Sequence, residues 1–282
     1  MGMEQIWKGL FKMLKVKDLT LQPGRPKVVV PVIGTSPEEI IKECEAAREQ
    51  LPCDMIEWRA DYYLSAIDDL GEKLKEKDIY LEMIKLLDDI NYIAAGMPVI
   101  FTVRRKGQGG MVDINKAQND SIRELVAQSE LVDFIDVELF DENDSFDEYD
   151  IKSQINEIHR YGCRALLSYH DFEHMPQPGE IVNIIQTMNN LGADVCKLAA
   201  MANSREDAEN LLKATALLTR NGIGPVATIA MGEWGRSTRV AAGRYGSCMT
   251  FAAGSSQSAP GQIDVFTMKK WLDEYYGPAD TE

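Results

Sequence analysis

The chain has 282 residues, 45% hydrophobic and 27% charged, a balance that excludes fibrous and intrinsically disordered classes. Thirty Lys and Arg stand against 45 Asp and Glu, and the formal charge of −15 argues against nucleic acid or an anionic membrane surface as a partner. No apolar run reaches the roughly 18 residues that would cross a bilayer. The opening MGMEQIWKGLFKMLKVK lacks the apolar centre and cleavage site of a secretory signal, so a cytoplasmic location is expected. Five cysteines (Cys44, Cys53, Cys163, Cys196, Cys248) are odd in number, scattered and without a C-x-x-C, and are read as reduced, mostly buried thiols.

In chain order, residues 1–26 form an extension. Ile6, Trp7, Leu10, Phe11 and Leu14 share one helical face, which predicts a short amphipathic helix, and KVKDLTL before the turn at Pro23 and Gly24 predicts a small hairpin. From residue 27 onward, short Val- and Ile-rich runs alternate with segments of helical period. The runs are KVVVPVI (27–33), DMIEW (54–58), PVIFTV (98–103), VDFIDVE (132–138), RALLSY (164–169), DVCKLA (194–199), PVATIA (225–230) and SCMTFA (247–252). Most are apolar on successive residues, as in parallel strands covered on both faces. Ser36-Pro37-Glu38-Glu39, Pro178-Gly179-Glu180 and Ser204 open helices between them, and Gly222 closes the last of these three. Eight strand-then-helix units without a break favour a closed (β/α)8 TIM barrel over 27–282, its bottom closed by the hairpin, over an open Rossmann sheet; no G-x-G-x-x-G follows the first strand. The acidic FDENDSFDEYD (140–150) reads as a solvated loop.

In such a barrel the site lies at the C-terminal ends of the strands. There the sequence places Glu57, Arg59 and Asp61 at the second strand, Arg104 and Arg105 at the third, and Glu138 at the fourth. His170 and Asp171 follow the fifth, Lys197 lies within the sixth, and Met231, Arg236 and Arg239 follow the seventh. So many charges in apolar surroundings predict a site for a polar, anionic small molecule. Lys197, between Val195-Cys196 and Leu198-Ala199, is the lone cation of a buried-type strand. Desolvation favours its neutral amine, which attacks ketones, while a lysine reaching solvent or paired with a glutamate is the competing reading. His170 suits a general acid/base, or a structural histidine held by Asp171 and backbone carbonyls. His159 and His174 read as surface and loop residues, and the histidine spacing predicts no metal site. The Gly- and Ser-rich 231–263 region suits either a phosphate-bearing ligand or a mobile lid.

EWRADYY (57–63), FTVRRKGQGG (101–110), VDFIDVELF (132–140), LSYHDFEHMP (167–176), GADVCKLAAM (192–201) and GSCMTFAAGSSQSAPGQI (246–263) resemble, in order and spacing, the motifs of type I 3-dehydroquinate dehydratase. The resemblance implies dehydration of 3-dehydroquinate through a Schiff base on Lys197, with His170 as acid/base and no metal or organic cofactor. It implies that Arg239 holds the substrate carboxylate, Met231 packs on the ring, and Glu57, Arg59, Arg104, Ser258, Ala259 and Gln262 line the hydroxyl and ketone pocket under a SAPGQ lid. A homodimer is also implied, and the reaction is shared by aromatic amino-acid synthesis and quinate breakdown. Departures are Gln108, where many members have a glutamate that assists the histidine, and Ile229, Thr238 and Pro31, where methionine, serine and serine occur. A Schiff-base aldolase, and a diverged binding protein or low-activity paralogue motivated by Gln108, are the alternatives.

Overall fold

The computed structural model describes residues 12–76, 78–141 and 145–278, so the helix expected through Ile6, Trp7, Leu10, Phe11 and Leu14 lies mostly outside the described residues, and Leu14 is found in a strand instead. Leu14–Val16 (β1) and Leu19–Leu21 (β2) pair antiparallel around Lys17, whose φ of 52° makes the tight turn. Val16 and Leu21 join Phe134, Leu166 and Val195 in one apolar cluster, so the hairpin closes the lower end of the interior. Lys17 ties it there by donating to the Met97 carbonyl at 3.2 Å and pairing with Asp133 at 2.8 Å.

Eight parallel strands follow: Lys27–Val32 (β3), Met55–Arg59 (β4), Val99–Thr102 (β5), Phe134–Glu138 (β6), Arg164–Asp171 (β7), Val195–Met201 (β8), Val226–Met231 (β9) and Met249–Ala253 (β10). They lie in the order β10-β3-β4-β5-β6-β7-β8-β9, with Ile263–Asp264 (β11) added beyond β10. The two ends of this series meet at a parallel bridge between Val226 and Ser247, where Cys248 N–H donates to the Val226 carbonyl at 2.8 Å. The expected barrel is therefore the observed fold. The strands end later than the apolar runs suggested: His170 and Asp171 are the last residues of β7, and Met231 is the last of β9.

The connections are Pro37–Glu49 (α1), Ala60–Ser65 (α2), Leu70–Glu76 (α3), Asp78–Ala94 (α4), Lys116–Ser129 (α5), Glu148–Arg160 (α6), Pro178–Leu191 (α7), Arg205–Arg220 (α8), Thr238–Ala241 (α9) and Val265–Tyr276 (α10). Three of these begin where the sequence marks a start, at Ser36, Pro178 and Ser204. Ser36 accepts from Glu39 N at 3.3 Å and Ser204 from Asp207 N at 3.1 Å, satisfying amides that the first helical turn leaves free. No helix among the described residues is long and apolar enough to cross a membrane.

Strand residues alternate between the helical layer and the barrel interior. Trp58, Phe101, Ile135, Leu167 and Leu198 face the helices in one large core, while Met55, Ile100, Phe134, Leu166 and Val195 fill the lower interior. Two residues further along each of these strands the inward positions become Glu57, Thr102, Asp136, Ser168 and Lys197, all buried. The interior thus changes from apolar to charged halfway up. Its lower rim is held by a repeated device: Asp54, Asp133 and Asp194, each one residue ahead of a strand, accept from the Val28, Val99 and Ala165 amides at 2.7, 2.8 and 2.8 Å.

Candidate active site

At the centre of the upper interior, Lys197 is 5% exposed. Its Nζ lies 3.2 Å from Glu57 Oε1 and 4.0 Å from the centroid of the Phe251 ring. Burial pushes the amine below the ordinary lysine range, and the Arg104 guanidinium adds to this; Glu57 and Asp136 pull the other way without cancelling it. Burial also works against the Glu57 carboxylate. Lys197, Arg59 and Arg104, with a 3.0 Å hydrogen bond from Thr102, outweigh it and hold the group below the usual carboxylate range.

The flanking guanidiniums are anchored from behind. Arg59 forks onto Asp61 at 2.7 and 2.8 Å. Arg104 donates to Asp136 at 2.8 Å, to Ser168 Oγ at 2.8 Å and to Glu138 at 3.3 Å. Burial opposes both charges, but the facing carboxylates prevail and keep both groups protonated.

His170 enters from β7 beside these cations. Burial first, then Arg104, Lys197 and Arg59, push its imidazole well below the ordinary histidine value, so it is neutral at neutral pH. Its Nδ1 is buried without a hydrogen-bond partner among the described residues. Asp171 does not supply one, because its Oδ1 accepts from the Glu173 and His174 amides at 2.9 and 2.8 Å. Gln108 approaches His170 at the main chain: its Oε1 accepts the His170 amide at 2.9 Å. Phe172 stacks near the imidazole at 6.4 Å between centroids. Two glycines make this approach possible. A Cβ on Gly109, whose φ is 79°, would lie 2.1 Å from the Phe172 ring, and one on Gly110 would lie 1.7 Å from the Arg104 carbonyl oxygen.

Arg239 differs from the other two arginines. It is 2% exposed, donates only to the Phe251 and Pro260 carbonyls at 3.4 and 3.0 Å, and leaves Nε unpartnered. No carboxylate neighbours it among the described residues, and burial pushes it down to about 10. The segment after β10 folds over it: Ser258 N–H donates to Gln262 Oε1 at 2.8 Å, and the Gly232 amide donates to the Pro260 carbonyl at 3.3 Å. The result is a pocket with a cavity of about 50 Å³, lined by the apolar Ala199, Ile229, Met231 and Phe251 together with the charged groups.

A model of the type I 3-dehydroquinase family matches residues 28–277. This chain belongs to that family. The 3-dehydroquinate dehydratase of Alkaliphilus oremlandii is 35% identical to it over 260 residues, which are 92% of this chain and 95% of the relative. That of Bacillus licheniformis is 35% identical over 262 residues, 93% of this chain and 96% of the relative. Among solved structures, the type I 3-dehydroquinate dehydratase of Clostridium difficile with covalently modified comenic acid has a TM-score of 0.84 at 31% identity, covering 94% of this chain and 98% of its own. The 3-dehydroquinate dehydratase of Geobacillus kaustophilus has a TM-score of 0.82 at 29% identity, covering 94% and 97%.

Five of the six family-like motifs, all but VDFIDVELF, put residues on this pocket. Glu57, Arg59, Arg104, Gln108, His170, Lys197, Met231, Arg239, Ser258, Ala259 and Gln262 all line it. Arg236 is exposed, and Arg105 pairs with Glu138 in a separate groove. Of the departures, Ile229 lines the pocket, Thr238 turns its hydroxyl to the Gly235 carbonyl at 2.7 Å, and Pro31 pairs in register with Glu57 but does not line the pocket. The sequence reading did not single out Phe251, Thr102, Ser168 or Asp136. Strand period would have found them: each stands an even number of residues from an inward apolar position on its own strand.

Proposed function

We propose that the chain dehydrates 3-dehydroquinate to 3-dehydroshikimate through an imine on Lys197. The neutral Lys197 amine adds to the C3 ketone, and loss of water with uptake of one proton from solvent leaves a protonated imine, the proton being given back at the final hydrolysis. His170 takes the C2 proton, giving an enamine, and returns that proton to the C1 hydroxyl, which departs as water. A second water hydrolyses the new imine and frees the amine, so the net change is loss of one water. A protonated imine is a stronger electron sink than a ketone, which brings the neighbouring C–H within reach of an imidazole.

The observation that carries this reading is a fully enclosed lysine, its amine disfavoured as a cation, facing the same pocket as a neutral histidine. Arg239, the guanidinium without a carboxylate, takes the substrate carboxylate, for which a planar fork is suited. Met231 packs on the ring. Glu57, Arg59, Arg104, Gln108, Ser258, Ala259 and Gln262 face the ketone and hydroxyls. Residues 27–282 act as one catalytic barrel in the cytoplasm, as a homodimer; light scattering tests the last point.

Borohydride reduction with 3-dehydroquinate, read by intact mass, tests the chemistry. A single reduced adduct on Lys197 is expected, absent in Lys197→Ala. No adduct, or one that survives the substitution, refutes the imine. Enone absorbance follows turnover, and His170→Ala is expected to slow it by about 10²- to 10⁴-fold.

A further inference from the structure

Asp136 holds a pocket arginine without itself lining the pocket. It sits on β6 with its side chain 1% exposed, and it is not among the residues that line the cavity. Its two oxygens do separate work. Oδ2 accepts from Arg104 Nη2 at 2.8 Å, and Oδ1 accepts from Ser168 Oγ at 2.8 Å. Ser168 Oγ in turn accepts from Arg104 Nη1 at 2.8 Å, closing a triangle. Ser168 is also the register partner of Lys197 across β7 and β8.

We propose that Asp136 is a positioning residue for the reaction: it aims Arg104 into the pocket and, through Ser168, braces the strand pair that carries His170 and Lys197. This rests on the imine reading above. Three donor hydrogens meet at the triangle, and only a group with two acceptor oxygens satisfies the outer two. Asparagine offers one oxygen, so Asp136→Asn leaves a buried donor without an acceptor.

The Asp136 charge also reaches Lys197. The charged or titratable groups around that amine are Glu57 and Arg59 from β4, Arg104 from β5, Asp136 from β6 and His170 from β7. The Asp136 carboxylate favours the ammonium, so its loss makes the amine easier to deprotonate. Glu138 contacts the same Arg104 at 3.3 Å and is not among the larger influences on Lys197, which makes it the comparison variant.

The test compares native protein, Asp136→Asn and Glu138→Gln in the pH dependence of kcat/KM and of imine capture on Lys197 with cyanoborohydride and 3-dehydroquinate. Asp136→Asn is expected to lower kcat/KM by about 10- to 100-fold, the range for one lost hydrogen bond to a charged group. It is also expected to move the acid-side limb of capture to lower pH, while Glu138→Gln leaves that limb in place. An unmoved limb in Asp136→Asn, or equal movement in both variants, overturns the proposal. If Asp136→Asn does not fold, Ser168→Ala carries the test, because it opens the triangle without changing charge. A several-fold loss of kcat/KM supports the proposal, and native kinetics overturn it. Absence of any adduct in native protein overturns the imine reading instead.

Discussion

Replacing Arg239 with methionine separates what the pocket does for folding from what it does for ligand. The guanidinium is almost fully enclosed, and burial brings it down to about 10. Against an ordinary value of about 12.5, that fall amounts to about 3 kcal/mol. The folded value is depressed, so this cost is fully present at neutral pH, where the group is charged in both the folded and unfolded states. Methionine fills a similar volume without charge. It also strips the Phe251 and Pro260 carbonyls of a donor, at about 1 kcal/mol for the better of these bonds, so a net gain of about 1–2 kcal/mol is expected. Differential scanning calorimetry should register this as a melting point a few degrees above native. On the proposed role of Arg239, the same variant in the enone assay loses a forked contact to the substrate carboxylate, worth about 3 kcal/mol or more, so KM should rise by at least about 100-fold. A variant that melts below the native protein and keeps its KM refutes the assignment.

Three other predictions follow from the same geometry. On the proposed imine route Lys197 is tied up during turnover, so kcat reports His170, and its acid-side limb is expected below pH 6.5; a limb at or above that value contradicts a neutral, cation-flanked imidazole. Gln108→Glu keeps an oxygen on the His170 amide and adds a negative charge beside the ring, so the kcat limb should move to higher pH, and an unmoved limb means the new carboxylate does not reach the imidazole. Gly110→Ala drives a Cβ into the Arg104 carbonyl, so thermal unfolding should report about 2–3 kcal/mol of lost stability and the assay a lower kcat/KM; native values for both show that this turn yields freely.

How much of the site could be read in advance differs residue by residue. Lys197 and His170 were legible because a charged or titratable group inside a Val- and Ile-rich run is rare enough to stand out. Asp136 stands in the same kind of run, in VDFIDVE, at the same strand parity as Glu138, and nothing local tells which of the two acids acts on Lys197. Gln108 was legible as an amide in a QGG string. That its oxygen meets the His170 main chain instead of the ring depends on how the turn after β5 folds back onto β7.

The order of strands and helices, the capping residues and the residue types available at the strand ends were determined by the sequence alone, since each depends on neighbours a few positions away. Barrel closure decided the rest. It chose which face of each doubly apolar strand turned inward, paired Arg104 with Asp136, and left Arg239 with no carboxylate among the described residues. Electrostatic pairing and desolvation depend on distances across the ring between residues far apart in the chain, and those distances exist only once the sheet has closed.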